Sequence, residues 1–133
     1  MTSRRQFLAK FSAAMIGAAC LGAASAEAFE LQPYRDSAVK AAIASGKPVV
    51  VHVYASWCLQ CHLQASILDS LKNDPKYQGV SFFRVDYDEQ KDVVKKLDCP
   101  RSTLIAFRGG KEVSRMSWGV TEGSVTDVLK AAL

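Results

Sequence analysis

The sequence contains little of what marks a disordered, fibrous or nucleic-acid-binding protein. Only 8 of its 133 residues are glycine and 4 are proline, which excludes a collagen-like or low-complexity chain. Its four cysteines are too few for a small domain held together by disulfides. A formal net charge of +4 is below what nucleic-acid binding requires. Because 49% of the residues are apolar, we expect one packed domain.

Residues 1–28 have the composition of a cleavable export signal. A stretch of 16 residues, 11–26, carries no charge and is rich in alanine. It is too short to span a bilayer comfortably, so a membrane anchor is the weaker alternative. Two A-x-A sequences, ending at Ala26 and Ala28, are usable cleavage sites.

The start of this segment resembles a twin-arginine signal, which carries folded bacterial proteins across the inner membrane. The matching letters are S-R-R-Q-F-L, residues 3–8; ordinary secretion is the alternative. Cys20 also lies in this segment, but Gly17 stands where a lipoprotein signal has a leucine-like residue. We therefore expect the periplasm, an oxidising compartment, with residues 29–133 as the mature domain.

Helices and strands are predicted in alternation from residue 36 onward. The predicted helices cover residues 36–45, 58–71, 89–97 and 121–133, and the predicted strands cover 48–54, 80–85, 103–107 and 112–118. The first strand is a β-branched run typical of a strand covered on both faces. Gly109 and Gly110 predict a hairpin between the last two strands. The fold class is therefore α/β, with a central mixed sheet and helices on both faces.

Cys58 and Cys61, at the junction of a predicted strand and helix, are the strongest functional signal. Cys58 would lie at the helix N-terminus, where free backbone N–H groups and the helix dipole stabilise a thiolate. Cys61 would lie one turn deeper, shielded and less ionised. This arrangement suits thiol–disulfide exchange, in which one cysteine forms a mixed disulfide and the other resolves it.

The surrounding sequence resembles the thioredoxin family. The run K-P-V-V-V-H-V-Y-A-S-W-C-L-Q-C, residues 47–61, is similar to the family's strand, Trp-Cys-x-x-Cys site and helix. The F-R-G-G-K-E hairpin and Gly119 match as well. The resemblance implies a thioredoxin-like three-layer fold and a thiol–disulfide oxidoreductase without a bound cofactor. In it, Cys58 is the nucleophile and Cys61 the resolving cysteine.

The resemblance also implies how a partner binds. Trp57, Ser102 and Thr103 would flank the partner's backbone. The family has a cis-proline just before this threonine, where this chain has Ser102. A cis bond before another residue type costs about 2.5–4 kcal/mol, so we expect a trans Arg101–Ser102 bond. We expect protein disulfides or dithiols as partners, together with a membrane electron donor or acceptor, for a monomer that binds no nucleic acid.

Two further residues depart from the family's pattern. His52 stands where thioredoxins often have a buried aspartate, six residues before Cys58. With a reference pKa of about 6.5, His52 is a candidate catalytic residue that accepts the proton of Cys61; a histidine bonded to a backbone carbonyl is the alternative. Cys99, in a loop expected to face the site, is either an inert buried thiol or a third sulfur within reach of Cys58.

Other functions fit some of the same residues. C-L-Q-C-H, residues 58–62, matches the pattern for covalent haem attachment, but it follows a predicted strand, whereas cytochrome c domains are mainly helical. Several side chains suit copper or zinc, namely Cys58, Cys61, Cys99 and either His52 or His62. The alternative function is therefore periplasmic metal binding or delivery on a thioredoxin fold. A non-catalytic interaction domain is a third alternative, disfavoured by the retained cysteines and Trp57.

The direction of electron flow stays open at this point. The two residues between the cysteines are Leu59 and Gln60. They match neither the Gly-Pro of reducing thioredoxins nor the Pro-His of strong periplasmic oxidants. The pKa of the leaving thiol and the surroundings of the disulfide set the reduction potential, and the sequence determines neither.

Overall fold

The computed structural model describes residues 29–133, so the predicted signal peptide lies outside the described residues. The strands are β1 (Leu31–Pro33), β2 (Val49–Tyr54), β3 (Ser81–Asp86), β4 (Thr103–Arg108) and β5 (Lys111–Ser117). The helices are α1 (Asp36–Ala44), α2 (Leu59–Leu71), α3 (Lys91–Leu97) and α4 (Glu122–Ala132), with a 3-10 turn at Pro75–Tyr77. Within this part of the chain, no helix is long and apolar enough to cross a membrane.

The five strands form one mixed sheet in the order β1-β3-β2-β4-β5. β1, β3 and β2 run parallel, while β4 is antiparallel to both β2 and β5. The mixed sheet and the predicted hairpin are therefore confirmed. The eight predicted elements are all present, but β1 was missed because three residues, one of them proline, carry too little alternation to predict a strand.

Two apolar clusters hold the helices against opposite faces of the sheet. On one face α2 and α4 pack through Leu68, Val125 and Leu129 against strand residues such as Val50 and Phe82. On the other face Val39 of α1 and Val93 of α3 pack against Val49, Val51, Val53, Phe83 and Val85. The sheet thus lies between two helical layers, which confirms the predicted fold class.

β2 is the central strand, and its β-branched sequence explains that position. Val49, Val50, Val51 and Val53 are fully buried, as expected for a strand covered on both faces. His52 is also fully buried, on the α2 and α4 side of the strand. β2 therefore brings one titratable side chain into the core beneath the start of α2.

Three loops meet where β2 ends. The first leads into α2, the second precedes β4, and the third joins β5 to α4. Ser102 N–H donates to Val53 O at 2.9 Å, and Trp118 N–H donates to Ser102 O at 2.8 Å. These backbone hydrogen bonds place the second and third loops beside the N-terminus of α2.

Candidate active site

The two cysteines occupy the first turn of α2. Cys58 is the N-cap residue, in extended conformation, and its Sγ accepts the backbone N–H of Cys61 at 3.2 Å. Both are free thiols in this structure; Cys58 is 2% exposed and Cys61 is fully buried. A sulfur in the N-cap position takes up one of the free N–H groups of the helix end, as a side-chain oxygen does in other helices.

The surroundings shift the pKa values of the two thiols in opposite directions. Burial raises the pKa of Cys58, but hydrogen bonds from Cys61 and the charge of Arg101 outweigh it, so the pKa is lowered overall. Burial also raises the pKa of Cys61, and there the neighbouring Cys58 adds to the increase. Cys58 is therefore the more acidic thiol, and the thiolate is the form that attacks a disulfide.

Arg101 is a site residue that the sequence analysis missed. Its guanidinium carbon lies 4.6 Å from the ring centroid of Trp57 and 4.9 Å from that of Trp118. Trp57 is held in turn by Asp88, whose Oδ2 accepts the indole N–H at 2.8 Å. No sequence motif predicts this cluster, because it depends on loops that only the folded chain brings together.

A buried polar network lies beneath the cysteines, centred on Gln64 of α2. The amide nitrogen of Gln64 donates to Ser102 O at 3.0 Å and to Gly119 O at 2.9 Å. Its Oε1 lies 3.0 Å from His52 Nε2. A single side chain therefore joins β2 to the loop before β4 and to the loop before α4.

This network determines the tautomer of His52. Since the Gln64 amide nitrogen already donates twice, its oxygen must accept, and His52 Nε2 carries the proton. His52 Nδ1 is then an unprotonated nitrogen, buried and without a hydrogen-bond partner among residues 29–133. Burial lowers the pKa of His52 to about 4, and the charge of Arg84, which pairs with His52 from the adjacent strand β3, contributes.

One of the two alternatives for His52, a hydrogen bond to a backbone carbonyl, was wrong, because the partner of His52 is the Gln64 side chain. No hydrogen bond joins His52 to either cysteine in residues 29–133, and its predicted role as the catalytic proton acceptor stays a prediction.

Ser102 and Thr103 were predicted to flank a bound partner, and the structure buries both side chains. The Arg101–Ser102 bond is trans, as predicted, and Ser102 has a φ of 60°, a left-handed conformation that costs a residue other than glycine about 1–2 kcal/mol. Its buried Oγ makes no regular hydrogen bond, yet the hydroxyl faces Cys61 and opposes the effect of burial on that pKa. The Thr103 hydroxyl bonds to Pro100 O and Ser117 Oγ, each at 2.8 Å. Contact of Ser102, Thr103 and Trp57 with a partner stays a prediction. Of these three residues Trp57 is the exposed one, with 58% of its surface accessible.

Of the two alternatives for Cys99, the structure favours the inert thiol: its loop brings Arg101 and Ser102 to the site, but Cys99 itself does not face it. It packs on the α1 and α3 side of the sheet, in the cluster that contains Val93 and Val53, whereas Cys58 and Cys61 form a separate cluster. It borders a surface cavity of about 440 Å³ lined also by α3 residues. Burial raises its pKa, which favours the unreactive thiol form.

His62 is positioned by two oxygens near the start of α2. Its Nε2 lies 2.6 Å from Ser56 O, and its Nδ1 lies 3.1 Å from the Tyr54 hydroxyl. In the part of the chain that the structure describes, no group of three or more His, Cys, Asp or Glu side chains is placed to hold a metal ion. Cys58 and Cys61 lie together, but Cys99 packs in a separate cluster, so the structure does not bring the predicted metal ligands into one group.

Comparisons with known proteins agree with this geometry. The Thioredoxin family model matches residues 30–131. The chain is 39% identical over 77 residues to Thioredoxin-2 of Saccharomyces cerevisiae. This alignment covers 56% of this chain and 72% of the yeast protein. It is 30% identical over 107 residues to Putative thioredoxin-5 of Dictyostelium discoideum, which covers 77% of this chain and 97% of that protein.

A solved structure supports the same relationship. The crystal structure of Trxlp from Edwardsiella tarda EIB202 superposes with a TM-score of 0.72 at 37% sequence identity. The match covers 75% of this chain and 98% of that one. With the Cys-x-x-Cys pair at the start of α2, these relationships lead to one conclusion. The chain belongs to the thioredoxin family and is a thiol–disulfide oxidoreductase.

Proposed function

We propose that the protein exchanges disulfides with protein partners in the periplasm, using Cys58 as nucleophile and Cys61 as resolving cysteine. The observation that carries the proposal is the position of Cys58 at the N-terminus of α2. There its sulfur accepts the Cys61 N–H at 3.2 Å, and hydrogen bonds and the Arg101 charge lower its pKa despite burial. The sequence of residues 1–28 supports the location.

In the first step the Cys58 thiolate attacks one sulfur of the partner's disulfide. A bond forms between Cys58 and that sulfur, and the partner's own S–S bond breaks. The electron pair leaves on the partner's second sulfur, which takes a proton from water. The backbone N–H groups at the start of α2 stabilise the thiolate before the attack.

In the second step Cys61 loses its proton and attacks the Cys58 sulfur. The Cys58–Cys61 disulfide forms and the partner's first sulfur leaves as a thiolate that is then protonated. The partner has gained two electrons and two protons, and a dithiol reductant returns the pair to the reduced state. Run in reverse, the same steps oxidise a dithiol partner, and a membrane protein would then take the electrons from the reduced pair. In the forward direction a membrane protein would supply the electrons.

The proton that Cys61 loses needs an acceptor, and His52 remains our candidate. Since burial lowers the pKa of His52 to about 4, it would hold that proton only transiently. The test is the pH dependence of the second step in His52→Leu compared with the native protein. An unchanged profile would contradict a role for His52 in proton transfer.

Trapping tests the assignment of the two cysteines. Without its resolving thiol, Cys61→Ser should accumulate mixed disulfides between Cys58 and partner proteins in periplasmic extracts. Cys99→Ser is the matched control and should accumulate none beyond the native protein. Adducts on Cys99, or no adducts on Cys58, would contradict the proposed function.

Cell fractionation tests the location. Expressed from the full sequence in a Gram-negative bacterium, the protein should appear in the periplasmic fraction and lack the first 26 or 28 residues. Changing both Arg4 and Arg5 to lysine should reduce export by the twin-arginine route. If the protein with unchanged Arg4 and Arg5 stays at full length in the cytoplasm, the periplasmic location is contradicted.

A further inference from the structure

Arg101 carries a positive charge beside the nucleophile with no carboxylate to balance it. The ion pairs found in residues 29–133 join other residues, namely Lys72 with Asp69, Lys96 with Asp36, and Arg115 with Glu112. None of the guanidinium donors of Arg101 bonds to an oxygen in this part of the chain, and its Nε is buried without a partner. A guanidinium presents five N–H donors. The buried Nε–H is out of a ligand's reach and part of the group faces the Cys58 sulfur, so the remaining terminal N–H groups are the ones left for a ligand.

The two indoles keep this guanidinium in place. Trp57 and Trp118 contact it at 4.6 and 4.9 Å from their ring centroids. Stacking of this kind uses the flat face of a guanidinium. The N–H donors point outward in the plane of the group, which leaves them able to bind both oxygens of a carboxylate.

Apolar side chains around Arg101 form the kind of surface that a polypeptide can cover. Trp57 is 58% exposed and Trp118 42%, and both contact Arg101. Large exposed aromatic residues beside an arginine are the composition of energetically important positions in protein interfaces. Cys58 is 2% exposed and close enough to Arg101 to form a hydrogen bond, so a partner's sulfur that reaches Cys58 brings the partner's chain near Arg101.

The nearest acidic side chain in this cluster is already engaged. Asp88 accepts the Trp57 indole N–H at 2.8 Å and forms no ion pair with Arg101 in the described part of the chain. Asp88 therefore does not neutralise the guanidinium. Arg101 already stabilises the Cys58 thiolate, and a carboxylate that pairs with its other donors would come from a bound partner.

We propose that Arg101 is a specificity-determining residue, and that it selects partner segments in which an acidic residue lies next to the exchanging disulfide. This inference rests on the proposed function, because it concerns the substrates of the same site. The partner's carboxylate would bind the free guanidinium donors while its backbone covers Trp57 and Trp118. An acidic neighbour would thereby hold the disulfide over Cys58.

The test compares three disulfide-linked peptides that differ only in the residue next to the cysteine. That residue is Glu, Gln or Lys. Reduced protein, with dithiothreitol as the regenerating dithiol, is assayed for kcat/KM with each peptide. An exposed ion pair is worth at most about a fivefold change in binding, so we expect kcat/KM about threefold to fivefold higher for the Glu peptide than for the Gln peptide. The Lys peptide should be the slowest, and high salt should reduce the differences.

Variants assign the preference to Arg101. Arg101→Gln should bring the Glu-to-Gln ratio to about one, and Arg101→Lys should restore part of the preference because it keeps the charge without the planar fork. A change in Cys58 reactivity affects all peptides alike, so the ratio is independent of it. Lys47→Gln is the matched control: this exposed lysine precedes β2, at the opposite end of that strand from Cys58, and its loss should leave the ratio unchanged.

The outcomes separate this inference from the proposed function. Equal rates for the Glu and Gln peptides, or a preference that persists in Arg101→Gln, would overturn the role of Arg101 while leaving exchange itself intact. No reduction of any peptide by the native protein would overturn the proposed function and this inference together.

Discussion

Replacing Gln64 with leucine removes the centre of the buried network beneath the active site. The substitution keeps the approximate size of the side chain but deletes both donors and the acceptor. The loops that carry Ser102 and Gly119 lose their side-chain connection to α2, and the Nε2–H of His52 loses its acceptor. We expect the variant to fold, with lower stability and slower disulfide exchange.

The cost follows from the groups that are left without partners. Ser102 O keeps its bond from Trp118 N–H, so it stays satisfied. His52 N–H is fully buried and has no second acceptor, which costs about 1–3 kcal/mol. Gly119 O is part-buried and costs less, since water can reach it. Because leucine buries somewhat more apolar surface, which offsets part of these costs, we expect a net loss of about 1–3 kcal/mol in the free energy of unfolding.

Urea unfolding followed by circular dichroism measures this loss. Gln60→Leu is the matched control, because it makes the same change at an exposed position on α2 and should alter stability by less than about 0.5 kcal/mol. A loss below about 1 kcal/mol for Gln64→Leu would refute the reasoning, since the buried hydrogen bonds would then contribute nothing net. A loss near 3 kcal/mol is a large fraction of the about 5–15 kcal/mol typical of small domains.

Two further predictions concern stability. The pKa of His52 is lowered from 6.5 to about 4 in the folded protein. As the pH falls, the unfolded chain therefore binds a proton at His52 before the folded chain does. The stability that the neutral His52 contributes is fully present above pH 6.5 and is lost as the pH falls toward 4. His52→Leu should flatten this part of a stability-against-pH curve and His62→Gln should not; equal slopes in all three proteins would contradict the burial of a neutral His52. Gly119→Ala should cost about 1–3 kcal/mol, because the added Cβ would lie 2.5 Å from Met116 Sδ and 2.9 Å from Ser124 Cβ, and the serine Cβ cannot move without its backbone. Gly123→Ala is the control, because the added Cβ would meet open space within α4, and it should be neutral or stabilising. Thermal unfolding measures both variants, and equal effects of the two substitutions would refute the packing argument.

Much of the fold could be predicted because each element carries a strong local pattern. The β-branched run of β2 and the glycine pair of the hairpin determine their elements almost independently of the rest of the chain. Cys58 and Cys61 could be identified for the same reason, since their function depends on a spacing within one helical turn. β1 has only three residues, and it is a strand because β3 lies beside it.

The remaining parts of the site depend on contacts between distant segments. Gln64 bonds to loops that lie 38 and 55 residues further along the chain. Its spacing from Cys61 and Leu68 places it on the buried face of α2, but no local pattern predicts these partners. Arg101 likewise contacts indoles from two other loops, and the neighbouring Ser102 adopts a left-handed conformation that local propensity disfavours. The sequence left two alternatives for Cys99 because the direction of its side chain depends on how the loop before β4 joins the sheet.

The central claim is that Cys58 is the activated thiol of this site, and the pH dependence of its alkylation tests that claim most directly. Reduced protein is pulsed with iodoacetamide across a pH series, and each cysteine is mapped by mass spectrometry. We predict that Cys58 reacts first, with a midpoint below the ordinary thiol pKa of 9.0, while Cys61 and Cys99 react slowly. A midpoint for Cys58 at or above 9.0, or faster labelling of Cys61, would contradict the account.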